Sequence, residues 1–379
     1  MERVVVTGLG LVTALGADKD VVFRRLLDQD CAITDCEDLR AAGFRHVRAG
    51  RCPESPSQAA RGRQLAVAAA RAAAADSGLK LPEDTFLCVG STMGESSAFE
   101  VAAQDDLPRS VLIDATSVSF ARAVRAELGL RGDFRTYGTA CAAGNYAIGS
   151  AAAHLSLGRG KVALAGGVEP FSRIAMLGFS RSRAMSSHGV CRPFDLARDG
   201  MVLGEGAAFL VLEVESHARA RGATPWAVVG ALGLSCDAEH PVAPLPDGSM
   251  AGLAFQDALS AQGLTADQID WVCAHGTGTV LSDAAEAQML HRVFGAKSPP
   301  VSSLKGALGH TLGAASAIEA CVCVMALQHQ VIPPNVGLQQ PAFDLDLVDR
   351  PRPASLGWVA NVALAFGGLN TVLLMGRYA

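Results

Sequence analysis

The run Thr139-Ala140-Cys141-Ala142-Ala143-Gly144 joins two unlike segments. Before it, Phe134 to Tyr137 is a short β-prone stretch. After it, about Ala142 to Leu157 reads as a long apolar helix, with Gly158 placed to stop it. Ala147, Ile148, Ala151, Ala152, Ala153 and Leu155 leave that helix no polar face, and such a helix is buried. Cys141 then falls at a strand-to-helix turn, at the positive end of a deep helix. Unpaired N–H groups there carry roughly half a positive charge, which favours thiolate over thiol. A free cysteine titrates near about 8.5, and this position predicts a lower value. A single cysteine is more often an inert core residue. The motifs farther along the chain decide against that reading.

Composition narrows the class. The chain has 379 residues, 50% hydrophobic and 18% charged, enough for two lobes with ample core. A net charge of −5 argues against a nucleic-acid partner. Ten cysteines are scattered, several in apolar runs (Cys88, Cys273, Cys321, Cys323), which fits a reducing cytoplasm better than a disulfide framework. Cys31, Cys36 and Cys52 lack CxxC spacing and a nearby His, so no metal site is expected. The N-terminus opens on a strand rather than a signal peptide. No run approaches the ~18 apolar residues of a membrane helix, so no membrane contact is expected.

Along the chain, strands alternate with helices. Val4–Thr7 reads as a strand running into Gly8-Leu9-Gly10, a GxG without the third glycine of a dinucleotide fingerprint. Residues 30–58 read as irregular. A helix over 64–76, a strand over 86–90, a helix over 117–128, the strand and helix around Cys141 and strands over 162–165 and 207–214 follow, with a short polar helix over 215–221. Near Gly222 the pattern restarts: strand 226–234, helix 249–262, strand 270–274, helix 284–294, strand 300–302, helix 311–328, strands 358–364 and 371–376. This predicts an α/β fold with largely parallel sheets, built as two similar lobes, 1–222 and 223–379. Helix 311–328 echoes the first buried helix. It too is apolar, and it too carries a reactive residue, His310, at its N-terminal end.

Three further clusters carry chemistry. His275-Gly276-Thr277-Gly278-Thr279 follows an apolar strand, with two hydroxyls on one side of an extended segment. Lys305 stands five residues before His310, and a nearby cation keeps an imidazole neutral and able to donate through N–H. Glu286 is placed to pair with Lys305. Phe366-Gly367-Gly368-Leu369-Asn370 reads as a tight turn between the last two strands. Arg192-Pro193-Phe194-Asp195 through Gly204-Glu205-Gly206 reads as a rigid structural stretch held by Arg–carboxylate pairs. One cysteine and two histidines together describe nucleophilic acyl transfer.

The order TAC-x-x-G, RPFD…RDG…GEGA, HGTGT, K…GH and FGG-x-N resembles the elongating β-ketoacyl-acyl carrier protein synthases of the thiolase-like fold, over nearly the whole chain. The resemblance implies two pseudo-repeated α/β lobes in a layered αβαβα arrangement. It implies that Cys141 is acylated, and that His275 and His310 promote decarboxylation of a malonyl extender. It places the N–H groups of Cys141 and Phe366 at an oxyanion hole, with Phe366 also as a gate. Thr277 and Thr279 match positions that hold a phosphopantetheine arm, Lys305 and Glu286 a supporting charged pair, Asp237 and His240 a secondary polar cluster at the pocket. No cofactor is expected on the chain itself. Phosphopantetheine arrives on an acyl carrier protein, and the chain is expected as a homodimer or paired with a ketosynthase-like partner.

This sequence departs from the family pattern at Ala143, Ser282 and Leu364-Ala365, and between Glu95 and Thr116 it is short. These leave the acyl chain, the extender and the pathway open, so polyketide or polyene synthesis stands level with fatty-acid elongation. Two other readings remain: an acyltransferase that makes an ester or amide without decarboxylation, and a chain-length-factor-like partner. The two histidines argue against the first and Cys141 against the second. An acidic carrier would need a local basic patch on a chain of net charge −5, with Arg61, Arg63, Arg181 and Arg183 as candidates.

Overall fold

The computed structural model describes residues 2–53, 60–105 and 115–378. The first half runs β1 (Val4–Thr13), α1 (Lys19–Leu27), β2 (Ile33–Asp35), α2 (Glu37–Ala41), β3 (Arg48–Gly50), α3 (Arg61–Asp76), β4 (Phe86–Gly90), α4 (Ser96–Asp105), α5 (Val118–Leu128), β5 (Phe134–Tyr137), α6 (Ala143–Ser156), β6 (Val162–Glu169), α7 (Arg173–Arg181), β7 (Gly206–Val214) and α8 (Glu215–Ala220). The second runs β8 (Ala227–Cys236), α9 (Ser249–Gln262), β9 (Trp271–Cys273), α10 (Val280–Phe294), β10 (Val301–Ser302), α11 (Lys305–Leu308), α12 (Ala315–His329), β11 (Val331–Ile332), β12 (Arg352–Pro353), β13 (Trp358–Ala365) and β14 (Leu369–Arg377).

Ten strands form one sheet in the order β10-β9-β13-β14-β8-β1-β7-β6-β4-β5, and it is mixed rather than largely parallel: β10-β9-β13 and β6-β4-β5 run parallel, and the pairings between β13 and β6 are antiparallel. Numbered within its own half, each five-stranded set has the same order, 3-2-4-5-1, and the two first strands, β1 and β8, pair antiparallel at the seam. The repeat that was faint in sequence is therefore plain in topology.

Side-chain alternation sorts each strand into layers, because successive residues point to opposite faces. On β7, Ala208, Leu210, Leu212 and Val214 face a central core, while Ala207, Phe209 and Val211 face an outer core beneath α3 and α5. On β14, Leu373 and Met375 face the same central core, and Val372 and Leu374 face the outer core under α9 and α10. The central layer is α6 and α12. Each packs on strands of both halves, which gives the αβαβα stack. The two helices approach so closely that a Cβ on Gly144 would lie 2.5 Å from the Ala317 backbone nitrogen.

Several expectations change. The Gly8-Leu9-Gly10 run is the middle of β1. A Cβ at Gly10 would lie 2.1 Å from Ala69 O on α3, so these glycines serve strand–helix packing. Residues 30–53 are not irregular but hold β2, α2 and β3; residues 54–59 lie outside the described residues, as do 106–114 of the short Glu95–Thr116 stretch. An apolar run of membrane-spanning length does exist: Leu312–His329 spans 18 residues with mean hydropathy 1.4. It is 89% buried, because α12 is enclosed on all sides by the two half-sheets and α6. Among the described residues no other helix has that length and apolarity.

Candidate active site

Both central helices begin in the same way. A 3₁₀ turn, Ala140–Ala142 or Leu312–Ala314, precedes the α-helix, and its first residue is a non-glycine with positive φ, +47° at Ala140 and +45° at Leu312. Left-handed backbone at a residue with a Cβ costs energy and persists only where the surroundings enforce it. Here it aims the next side chain, or the one two residues earlier, at a shared cavity.

Cys141 and His310 meet there. Cys141 Sγ lies 3.0 Å from His310 Nε2. The His275 and His310 rings stand edge to face with centroids 5.4 Å apart, and donor atoms of the three residues lie within 4.8 Å of one another. The cavity, about 250 Å³, is walled by Phe179, Met201, Thr277, Leu364, Phe366 and Asn370 among others. The trio is buried at its foot.

Each member is held by backbone contacts from elsewhere. His310 N–H donates to Val202 O at 2.7 Å and His310 O accepts from Gly204 N at 3.0 Å, so the Arg192–Gly206 stretch clamps His310 rather than merely bracing itself. Ser316 Oγ donates to Cys141 O at 3.3 Å and accepts from Asn145 N at 3.0 Å. Asn361 Nδ2 joins that knot through Asn145 Oδ1 and Ser316 O. Sequence reasoning passed over Asn145, Ser316 and Asn361. A lone Asn in an otherwise apolar helix was the available signal, since a buried amide must find partners.

Glu169, at the end of β6, accepts from Thr92 N, Met93 N and Gly313 N at 2.7–2.9 Å, which ties one half to the turn after His310. Asp283 accepts from Thr277 N and Gly278 N at 3.0 Å and from Phe194 N at 2.7 Å, shaping the His275–Thr279 turn.

The expected Lys305–Glu286 pair is not formed. Lys305 Nζ instead donates to Glu319 Oε1 at 2.6 Å and to His275 O at 2.5 Å. Glu286 accepts from the N–H groups of His275 and Gly276, both at 2.7 Å. The correction is steric: Glu319 lies one turn into α12, directly against Lys305, while Glu286 is taken up by the loop it supports. Burial alone would lower the Lys305 ammonium, but Glu319 outweighs it and holds it above its ordinary value. Burial, then the Lys305 charge, drives His310 well below the usual imidazole range. The same two causes, with His310 third, do so for His275. Both rings are therefore neutral.

The expected thiolate is also corrected. Burial pushes the Cys141 thiol up to about 12, and the Lys305 cation pulls it down without offsetting that. Removing a full charge from water outweighs a half-charge at a helix end. The resting site is a thiol facing a neutral imidazole.

Of the remaining candidates, Thr277 and Thr279 line the cavity with their hydroxyls 3.0 Å apart, and Thr279 also caps α10 by accepting from Ser282 N. Asp237 lines the cavity and accepts from Asn370 Nδ2 at 2.7 Å. His240 does not join it: the ring is exposed and its Nδ1 accepts from Val242 N and Ala243 N in its own loop. Phe366 stands at the tip between β13 and β14, 38% exposed, against Phe179. Arg61 is not a surface charge. It is buried on Glu205 at 2.7 Å. Arg63 lies 3.7 Å from Glu95. Arg181 and Arg183 are exposed, and Arg183 lines the cavity mouth.

Comparison with known proteins points the same way. The chain matches the family models "Beta-ketoacyl synthase, N-terminal domain" over residues 1–218 and "Beta-ketoacyl synthase, C-terminal domain" over 226–339. It is 35% identical to "3-oxoacyl-[acyl-carrier-protein] synthase 2" of Mycobacterium tuberculosis, across 99% of this chain and 97% of that protein. It is 35% identical to "Nodulation protein E" of Rhizobium meliloti, across 98% of both. A solved structure, "The ishigamide ketosynthase/chain length factor", superposes with a TM-score of 0.95 at 33% identity over the full length of both chains. A duplicated αβαβα fold with a Cys-His-His trio at its seam, matched along its length in these ways, belongs to the β-ketoacyl synthase family.

Proposed function

We infer that this chain catalyses decarboxylative Claisen condensation of an acyl thioester with malonyl-acyl carrier protein, in fatty-acid or polyketide synthesis. The observation that carries the reading is the 3.0 Å contact between Cys141 Sγ and His310 Nε2, with His275 beside them at the foot of one cavity. His310 accepts the thiol proton as Cys141 Sγ attacks the acyl carbonyl, and the carrier's thiol leaves with that proton. The malonyl thioester then enters. Its bond to the carboxylate carbon breaks, carbon dioxide leaves, and the electron pair forms an enolate. Neutral His275 donates N–H to the enolate oxygen, and so does His310 once its single proton has passed, by exchange with solvent, to the nitrogen that faces the cavity. The enolate carbon attacks the Cys141 thioester, whose developing oxyanion is met by the N–H groups of Cys141 and Phe366. Collapse expels the Cys141 thiolate, which takes a proton from solvent to restore the thiol.

The phosphopantetheine arm is part of the substrate. Its polar atoms suit the paired hydroxyls of Thr277 and Thr279 at the cavity wall, with Asp237 and Asn370 beyond. Exposed Val280, Leu281 and Val242 beside Arg183 give the mouth an apolar and basic rim for an acidic carrier. Among the described residues no strand pairs with the outer edge of β5, which a second copy or a ketosynthase-like partner would cover. Ten free thiols suit a reducing compartment such as the cytoplasm.

Intact-protein mass after incubation with an acyl carrier thioester tests the assignment. The wild type should gain one acyl group and the folded Cys141→Ala variant none. Acylation of that variant, or transfer to an alcohol or amine with no carbon dioxide from malonyl carrier, would sink it.

A further inference from the structure

We propose that the Cys141-His275-His310 trio is also a binding site for a thiophilic divalent cation, Zn²⁺ above all, and that the ion shuts the enzyme reversibly. Three soft or borderline donors converge: one thiol sulfur and two imidazole nitrogens, all within 4.8 Å of one another. A tetrahedral zinc with bonds of about 2.3 Å to sulfur and 2.0–2.1 Å to nitrogen needs donor separations of about 3.3–3.6 Å. The trio brackets that range, from 3.0 Å for Cys141 Sγ to His310 Nε2 up to the 4.8 Å limit, so sub-ångström to ångström side-chain shifts close it. Among the described residues no other group of three such side chains comes so close. Three protein ligands and an open side toward the cavity match the pattern of zinc sites that keep one position for water.

The step balances simply. The Cys141 S–H bond breaks, its proton goes to solvent, and a sulfur–metal bond forms as the ion sheds water ligands. The histidines bind through ring nitrogens with no proton change at the coordinating atom. Two features set the strength. Among the described residues, His275 Nδ1 and His310 Nδ1 are buried without a hydrogen-bond partner, so neither ring has there the carbonyl or carboxylate that normally orients a ligating histidine. Loss of such a partner lowers metal affinity by about 10–100-fold. The Lys305 cation also stands close, opposed by Glu169 and Glu319 in the same surroundings. The site is thus a reversible trap rather than a structural metal centre. With Sγ occupied, no acyl group can load.

The test reads the metal, not the reaction. Cys31→Ser with Cys236→Ser removes the two exposed thiols and provides the background protein. Titrated with Co²⁺, it should develop a thiolate-to-cobalt charge-transfer band and tetrahedral d–d bands at one equivalent per chain, displaced by Zn²⁺. Adding Cys141→Ala should remove the charge-transfer band, and adding His310→Ala should weaken Co²⁺ binding at least tenfold. A band that survives Cys141→Ala, or no band at millimolar Co²⁺ in the background protein, overturns the proposal. This result is independent of whether the chain condenses acyl groups. If binding is confirmed, wild-type thiol labelling at Cys141 should be blocked by Zn²⁺ and restored by a chelator.

Discussion

The starts of α6 and α12 are built alike and furnished differently. Each follows the same strand order, each opens with a positive-φ residue in a 3₁₀ turn, and each end is buried. The α6 end carries one reactive group, Cys141, and among the described residues the cation acting on it, Lys305, comes from the other half. The α12 end carries His310 with Lys305, Glu319 and, across the turn, His275 and Glu286. One end holds the nucleophile and the other supplies proton and charge control. Their difference teaches that a duplicated fold gives two equivalent positions at one seam, and that chemistry comes from making them unequal. The halves are then stitched where it matters, through Glu169 to Gly313 and Asn145 to Ser316.

The largest expected effect breaks the inequality directly. His275→Ala and His310→Ala should each slow carbon dioxide release from malonyl carrier by about 10²–10³-fold, the loss typical of one oxyanion donor. Only His310→Ala should also slow loading of Cys141, because only its nitrogen contacts Sγ. Single-turnover loading and release, measured separately, would show this. Equal loading rates in the two variants would mean that the 3.0 Å contact carries no proton.

Next comes the partner of Lys305. Lys305→Met leaves Glu319 buried and alone, and removing one member of a buried ion pair costs about 3–5 kcal/mol. Lys305→Met with Glu319→Gln should recover most of it in denaturant unfolding, whereas Lys305→Met with Glu286→Gln should not. Recovery by the Glu286 change would restore the pairing expected from sequence.

A smaller effect follows from buried carboxyls. Burial raises Glu169 to about 7 and Glu286 to about 8, against the N–H groups that pull each down. Both hold their proton in the fold more tightly than in the unfolded chain. Their stabilisation is full below the ordinary carboxylate range and is lost as pH rises through about 7 and then about 8. The lowered carboxyl of Asp199, near 2, gives its full share by about pH 5, while the neutral His275 and His310 go on gaining theirs up to the ordinary imidazole range near about 6.5 and offset the carboxyl loss below it. The thermal midpoint should therefore fall between about pH 6.5 and 8.5, and Glu286→Gln should flatten the upper part. A midpoint level across that range would show both groups ionised in the fold.

The smallest effect concerns the tip at Phe366. Gly367 and Gly368 take φ of +87° and +73°, and Gly368 has no room for a Cβ against Asp237, so the turn already has its hinge. Ala365 precedes it in β13. Ala365→Gly should change the loading rate by no more than a few fold and leave stability within about 1 kcal/mol. Phe366→Ala should let malonyl carrier be decarboxylated before Cys141 is loaded. Wild-type order of addition in that variant would make Phe366 a packing residue against Phe179.

Sequence alone determined the parts that are local. The apolar runs of α6 and α12, the strand end at Tyr137, and Gly158 as the left-handed stop after α6 were all legible, because each rests on neighbours within a turn or two. It also determined the trio itself, since motif order marked Cys141, His275 and His310. Only the tertiary structure decided what depends on distant partners. Glu319 rather than Glu286 meets Lys305 because α12 begins where it does. Leu312–His329 is a core helix, not a span, because two half-sheets enclose it. Cys141 rests as a thiol because burial, which sequence spacing does not measure, outweighs the field of its own helix.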